Sequence, residues 1–137
     1  GEMMQTFLPY RDFRKSAQCL DYRRLGKQRV EAKQIYTIVS GEKTTGGWIN
    51  HPAVVMWHGF PNLLAYYYNE MVDEWIGRGY NNSMKYIHVP PSVDEPLWLG
   101  DNKFHDSHKS NLLRKEPTFY AQYNWNVEPS LPYVWPK

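Results

Sequence analysis

Apolar positions along the chain fall into a few stretches of helical spacing, set apart by proline and glycine. Residues 4–10 (Met4-Gln5-Thr6-Phe7-Leu8-Pro9-Tyr10) are short and mostly apolar. Pro9 disfavours helix for Leu8, so they read as an extended leading segment. Asp12 or Ser16 supplies the cap of a first helix to about Leu25, which Gly26 breaks or kinks. Val30, Gln34, Ile35, Ile38 and Val39 keep helical spacing over residues 27–39, and Ser40-Gly41 ends that run before a polar loop. Asn50 is a candidate cap, and Pro52 suits the first turn of a short helix to Trp57. Pro61 opens a longer helix to Arg78, with a wide apolar face of Leu64, Tyr67, Tyr68, Met71, Val72, Trp75 and Ile76. Gly79 closes it.

Pro90, Pro91 and Pro96 exclude a regular helix from residues 81–100. Asp101 or Asn102 then caps a helix to about Lys115, and a short helical turn follows at residues 117–123. The tail beyond it carries three prolines and reads as extended, pinned by Trp125, Tyr133 and Trp135. No strand alternation, repeat or low-complexity tract interrupts this pattern. The expected fold is all-α: a compact single-domain helical fold with long ordered loops and an extended C-terminal tail, spanning residues 4–137. Gly1-Glu2 reads as an expression-tag remnant, so residues 1–3 hold the start and the chain proper begins at Met3 or Met4.

Composition changes this picture in three places. The 137 residues suit one domain, and 42% hydrophobic content suffices for a packed core. Aromatics make up 16%, including 6 Trp and 11 Tyr, which either fill that core or line a groove where bases stack. The formal charge of +2 names no partner, so any anionic ligand must be recognised by local clustering. The lone Cys19 excludes an internal disulfide and a cysteine zinc cage, and fits a reducing cytoplasm. No apolar run approaches membrane-spanning length and no signal-peptide pattern is present, so the expectation is a cytoplasmic chain without a membrane partner.

The densest positive charge lies in residues 11–33: Arg11, Arg14, Lys15, Arg23, Arg24, Lys27, Arg29 and Lys33 are opposed only by Asp12, Asp21 and Glu31. On a helix, Arg23 and Lys27 share one side, and Arg24, Gln28 and Glu31 share a neighbouring one. The bland reading is a solvated face with an Arg24 or Lys27 ion pair to Glu31. The sharper one is a phosphate-binding strip that holds one carboxylate ionised. A second cluster spans residues 104–115, where Lys109, Ser110, Arg114 and Lys115 suit phosphate oxygens. His105 and His108 stand three apart, but completing a metal site would fall to His51 or scattered carboxylates, so no metal is expected. His51, between Asn50 and Pro52, is either a structural hydrogen-bonder or a group near a reacting sugar. No Gly-x-Ser-x-Gly, Walker or dinucleotide-binding glycine motif occurs, nor the His-x-Glu with a Cys pair of zinc deaminases.

Asp21-Tyr22-Arg23-Arg24-Leu25 followed by Arg29-Val30, then Glu74-Trp75-Ile76-Gly77-Arg78-Gly79-Tyr80-Asn81, then Arg114-Lys115-Glu116-Pro117-Thr118-Phe119-Tyr120 occur in that order. In this order the chain resembles the pyrimidine dimer DNA glycosylase family, the small endonuclease-V-type enzymes of phage and algal viruses. It resembles more closely still a bacterial and phage branch carrying Gln5-Thr6-Phe7-Leu8-Pro9, Arg24-Leu25-Gly26-Lys27-Gln28-Arg29-Val30-Glu31, Asn50-His51-Pro52-Ala53 and Leu131-Pro132-Tyr133-Val134-Trp135-Pro136. The resemblance implies an all-α domain that binds double-stranded DNA and flips a damaged or modified nucleotide, without cofactor or obligatory protein partner. It also implies a chain-terminal amine that attacks the sugar as a Schiff-base nucleophile, assisted by a glutamate, followed by β-elimination.

The position matching that glutamate holds Arg24, and Glu31, two turns on, is the nearby carboxylate that can replace it. The amine is expected at Met3 or Met4. The catalytic candidates are therefore Glu31, Arg24, Met4, His51 and His108. The phosphate-binding candidates are Arg23, Lys27, Arg29, Lys109, Arg114 and Lys115. The expected activity is a DNA glycosylase, with or without an AP-lyase step. The alternatives are a non-catalytic nucleic-acid-binding module on the same fold and an enzyme acting on free nucleotides.

Overall fold

The computed structural model describes residues 4–136; the expected start in residues 1–3 and the terminal Lys137 lie outside the described residues. Asp12 caps α1 (Phe13–Cys19), its carboxylate accepting from the Lys15 N–H at 2.9 Å. The helix stops at Leu20 and does not run on to Gly26 as the glycine suggested. Asp21 starts a new helix, α2 (Tyr22–Val39), by accepting from the Arg24 N–H. Arg78 holds the break open: its guanidinium donates to the carbonyls of Ala17, Gln18 and Leu20 at 2.8–3.2 Å, where the end of α1 runs short of backbone donors. Gly26 lies inside α2. A Cβ built on it would come 2.9 Å from the ring of Trp75, so its function is close approach between helices.

His51, and not Asn50, caps the short α3 (Pro52–Val55), its Nδ1 accepting from the Ala53 N–H at 3.0 Å. Then α4 (Pro61–Gly77) runs as expected, and Gly79 takes a φ of +88° just beyond it, where a side chain would be strained. Residues 81–100 form no helix. They lie along α4 because Asn69 pairs with both the N–H and C=O of Ile87, Tyr68 donates to the Lys85 carbonyl and Tyr86 donates to Asp73. Asp101 caps α5 (Asn102–Lys115); α6 (Pro117–Tyr120) and a 3₁₀ turn (Ala121–Tyr123) follow, before the extended tail.

Among the described residues there is no strand, and the fold is all-α. The core forms where α2 and α1 pack on α4, and Trp57, Tyr67, Tyr68, Phe104 and Tyr120 are fully buried within it. Each such ring removes apolar surface worth roughly 1.5–3 kcal/mol from water. Polar tips are satisfied as they go inside. The Tyr67 hydroxyl is 2.8 Å from the Phe7 carbonyl, and the Trp57 indole donates to the Thr6 hydroxyl at 3.1 Å.

Candidate active site

The leading segment sets the geometry. Residues 4–8 are buried, yet no neighbouring strand pairs with them. Buried backbone groups must find partners, and here side chains supply them. Gln28 donates from Nε2 to the Gln5 carbonyl at 2.9 Å and accepts the Phe7 N–H on Oε1 at 3.1 Å. Glu31 accepts the Gln5 N–H on Oε2 at 3.1 Å. From the other side, His108 Nδ1 accepts the Leu8 N–H at 2.9 Å, while His105 Nδ1 lies 2.8 Å from the Leu8 carbonyl. His105 Nε2 accepts from the Gly100 N–H at 2.9 Å, which leaves its proton on Nδ1 to donate. Thus α2 and α5 grip the segment between them, where a sheet would otherwise have been needed.

The face of α2 that makes this grip also lines a pocket of about 110 Å³, together with Phe7, Lys115 and Tyr133. Arg24, Lys27, Gln28 and Glu31 are its contributions, spaced to fall on successive turns of one side. An adjoining hollow of about 280 Å³ shares Arg24 and Lys27 and adds Arg23 and Glu116. Glu31 is 8% exposed, with Lys27 Nζ 3.4 Å from its Oε1. Arg24 is held by Asp21 at 3.3 Å and Glu116 at 3.6 Å. Lys115 sits in the last turn of α5, where the helix dipole favours a cation. The site is thus a carboxylate near the bottom of a cation-rimmed hollow, with an aromatic wall.

This arrangement brings together Glu31, Arg24, Arg23, Lys27 and Lys115. Met4 packs its side chain into the core one residue from the Gln5–Glu31 bond. The other candidates go elsewhere. Arg29 stacks over Trp75 at 4.1 Å and donates to Asn82 at 2.8 Å, so it serves the α2–α4 contact and not the pocket. Arg114 donates to the carbonyl of Pro129 at 2.8 Å, fastening the tail. Lys109 lies 3.7 Å from Asp106 and 5.2 Å from the Tyr10 ring centroid, outside the pocket lining. Ser110 is buried and donates to the Glu128 carbonyl. His51 is a helix cap whose ring meets the edges of Trp48 and Trp135, and burial lowers its pKa. His108 is fully enclosed, and burial drives its pKa down to about 3, so it stays neutral while holding Leu8. Neither histidine lines the pocket. Cys19 is buried and its thiol is pushed up to about 12, which makes it a poor nucleophile.

Among the described residues no three His, Cys, Asp or Glu side chains form a metal cluster, and both nitrogens of His105 are already engaged by backbone. No helix there is long and apolar enough to cross a membrane. Sequence reasoning overlooked Gln28, Phe7 and Tyr133 as site residues. Gln28 was within reach, since it lies four residues after Arg24 and three before Glu31. Tyr133 was not, because only the folded tail brings it to α2.

No curated protein and no solved structure matches the chain. The family model for pyrimidine dimer DNA glycosylase matches residues 4–88 of the 137, a span that holds the leading segment, the whole of α2 and therefore most of the pocket's lining. The family's substrate is DNA, which suits a hollow rimmed by cations around a carboxylate. On that match, the chain belongs to the pyrimidine dimer DNA glycosylase family.

Proposed function

We propose that the protein excises a damaged or modified base from duplex DNA, with Glu31 as the working carboxylate. The observation that carries this is the place of Glu31: nearly buried, in a cation-rimmed pocket, and bonded to the backbone of the leading segment. Arg23, Arg24, Lys27 and Lys115 neutralise phosphates on either side of the flipped nucleotide. Phe7 and Tyr133 offer apolar surface to the base. When the glycosidic bond breaks, its electron pair leaves with the base and positive charge develops on the sugar carbon. A fixed carboxylate stabilises that charge and orients the incoming nucleophile. With water as nucleophile, the product is an abasic site.

The lyase step uses an amine instead. One residue spans about 3.8 Å, so an α-amine at Met4, next to the Gln5 N–H that Glu31 holds, lies within reach of the same pocket. Attack by that amine forms an imine, and β-elimination then breaks the strand. His51 and His108 act in this scheme by positioning, through α3 and through Leu8.

The test is a panel of lesion-bearing and modified-base duplexes, scored separately for base release and for strand cleavage, using chains that begin at Met3 or Met4 and chains with that amine blocked. Glu31→Gln is expected to lower base release by about 10²–10³ while binding stays nearly intact. Blocking the amine is expected to remove strand cleavage alone. Equal base release by Glu31→Gln would exclude Glu31 from the chemistry. A second reading, a non-catalytic DNA-binding module, is favoured by Arg24, which stands where the family resemblance expects a glutamate and is tied to Asp21 and Glu116. Salt-sensitive binding with no release across the panel would establish it.

A further inference from the structure

On the side of α2 away from the pocket, three aromatic rings meet at the surface. Trp75 is nearly buried, with Tyr22 stacked on it at 5.5 Å and 21°, and Tyr80 tilted against it at 4.5 Å. Tyr22 and Tyr80 meet edge to face at 4.9 Å. These two outer rings remain 53% and 39% exposed. The cluster is fixed from behind. The Trp75 indole donates to the Asn81 carbonyl at 2.7 Å, the Arg29 guanidinium lies over the ring at 4.1 Å, and Gly26 leaves room for the ring. The core does not need Tyr22: more than half of it faces water, and stacking on Trp75 keeps it pointing outward.

We propose that Tyr22 and Tyr80 form a base-stacking subsite for an unpaired nucleobase of the same DNA strand that enters the pocket. This rests on the DNA-excision reading above. Charge supports it. The exposed arc of α2 between the two places carries Arg23 and Lys27, with no carboxylate among the exposed residues Tyr22, Arg23, Lys27, Val30 and Gln34. A phosphate backbone can therefore follow the helix from platform to pocket. Rigid exposed rings beside such a strip are what sequence-tolerant single-strand binding uses. Length supports it too. Nine residues separate Tyr22 from Glu31, about 13 Å along a helix, and the half-turn around its roughly 10 Å diameter adds about 16 Å across, so the surface path is about 21 Å, roughly six nucleotide steps at 3.4 Å each. A base that far from the reacting nucleotide is paired in intact duplex. The substrate class this geometry selects is a lesion in locally unwound DNA, such as a bubble or a gapped strand.

Affinity for a duplex bearing one uncleavable abasic-site analogue tests this, fully paired in one arm and with about six to seven unpaired nucleotides beside the analogue in the other. Wild type is expected to prefer the unwound arm. Tyr22→Ala and Tyr80→Ala are each expected to weaken that arm by about 5- to 150-fold and the paired arm far less, while Tyr22→Phe keeps the preference. A 2-aminopurine placed at the predicted distance is expected to be quenched by wild type and Tyr22→Phe only. Melting temperature is measured for every variant, and a folded Tyr22→Ala that retains the preference overturns the subsite. So does wild type that binds both arms equally. Failure of wild type to bind either arm overturns the DNA-excision reading itself.

Discussion

Gln28→Met tests whether side chains really replace a sheet around the leading segment. Gln28 is 1% exposed and reaches three partners: the Gln5 carbonyl, the Phe7 N–H and the Tyr67 hydroxyl, the last at 2.6 Å. Methionine matches its length and removes its polar atoms. Tyr67 loses little, because its hydroxyl keeps the Phe7 carbonyl. The Gln5 carbonyl and the Phe7 N–H are left bare, and each unsatisfied buried group costs about 1–3 kcal/mol. The more apolar side chain returns about 1 kcal/mol. The net loss is therefore about 1–5 kcal/mol, a large share of the ~5–15 kcal/mol that holds a domain together. Urea unfolding reads it as a lower midpoint at unchanged slope. Because the same segment meets Glu31, base release is expected to fall along with stability. A stability within about 0.5 kcal/mol of wild type, the range of an ordinary surface change, would refute the reasoning.

Two further predictions concern the walls of this arrangement. The unfolded imidazole of His108 takes a proton near pH 6.5 but the folded one only near pH 3, so the folded state is fully favoured above 6.5 and loses stability as the pH falls toward 3, at about 1.4 kcal/mol per pH unit. His108→Asn keeps an acceptor for the Leu8 N–H and should show a shallower decline in denaturant unfolding between pH 6.5 and 4; identical slopes would show that the histidine is not buried as described. Gly26→Ala adds a Cβ 2.9 Å from the Trp75 ring. Overpacking of about 1–3 kcal/mol should outweigh the ~1 kcal/mol of helix propensity that alanine adds, so thermal unfolding moves to lower temperature; a stabilised variant would mean that Trp75 yields freely.

The helices were legible where local signals agree. Asp12, Asp101, Pro61 and Gly79 mark boundaries that the structure keeps, and the prolines of residues 81–100 exclude helix there. The break between α1 and α2 was misplaced because glycine is the stronger local breaker, while the forces at Leu20 and Asp21 come from Arg78 and Tyr120, far along the chain. The same distance explains the basic residues. Arg23, Arg29 and Arg114 look alike in sequence, and only their neighbours differ: a hollow for the first, Trp75 for the second and the tail carbonyls for the third.

Sequence alone therefore determined the all-α class, the family through the order of its motifs, and residues 11–33 as the stretch of densest positive charge. Those properties follow from spacing and composition along one stretch, which a chain displays before it folds. Tertiary structure decided which charges line the pocket, that Glu31 meets the leading segment, and that His105 and His108 hold its backbone. Burial, desolvation and hydrogen-bond partners set these, and each arises from residues that meet only when α2, α5 and the leading segment close on one another.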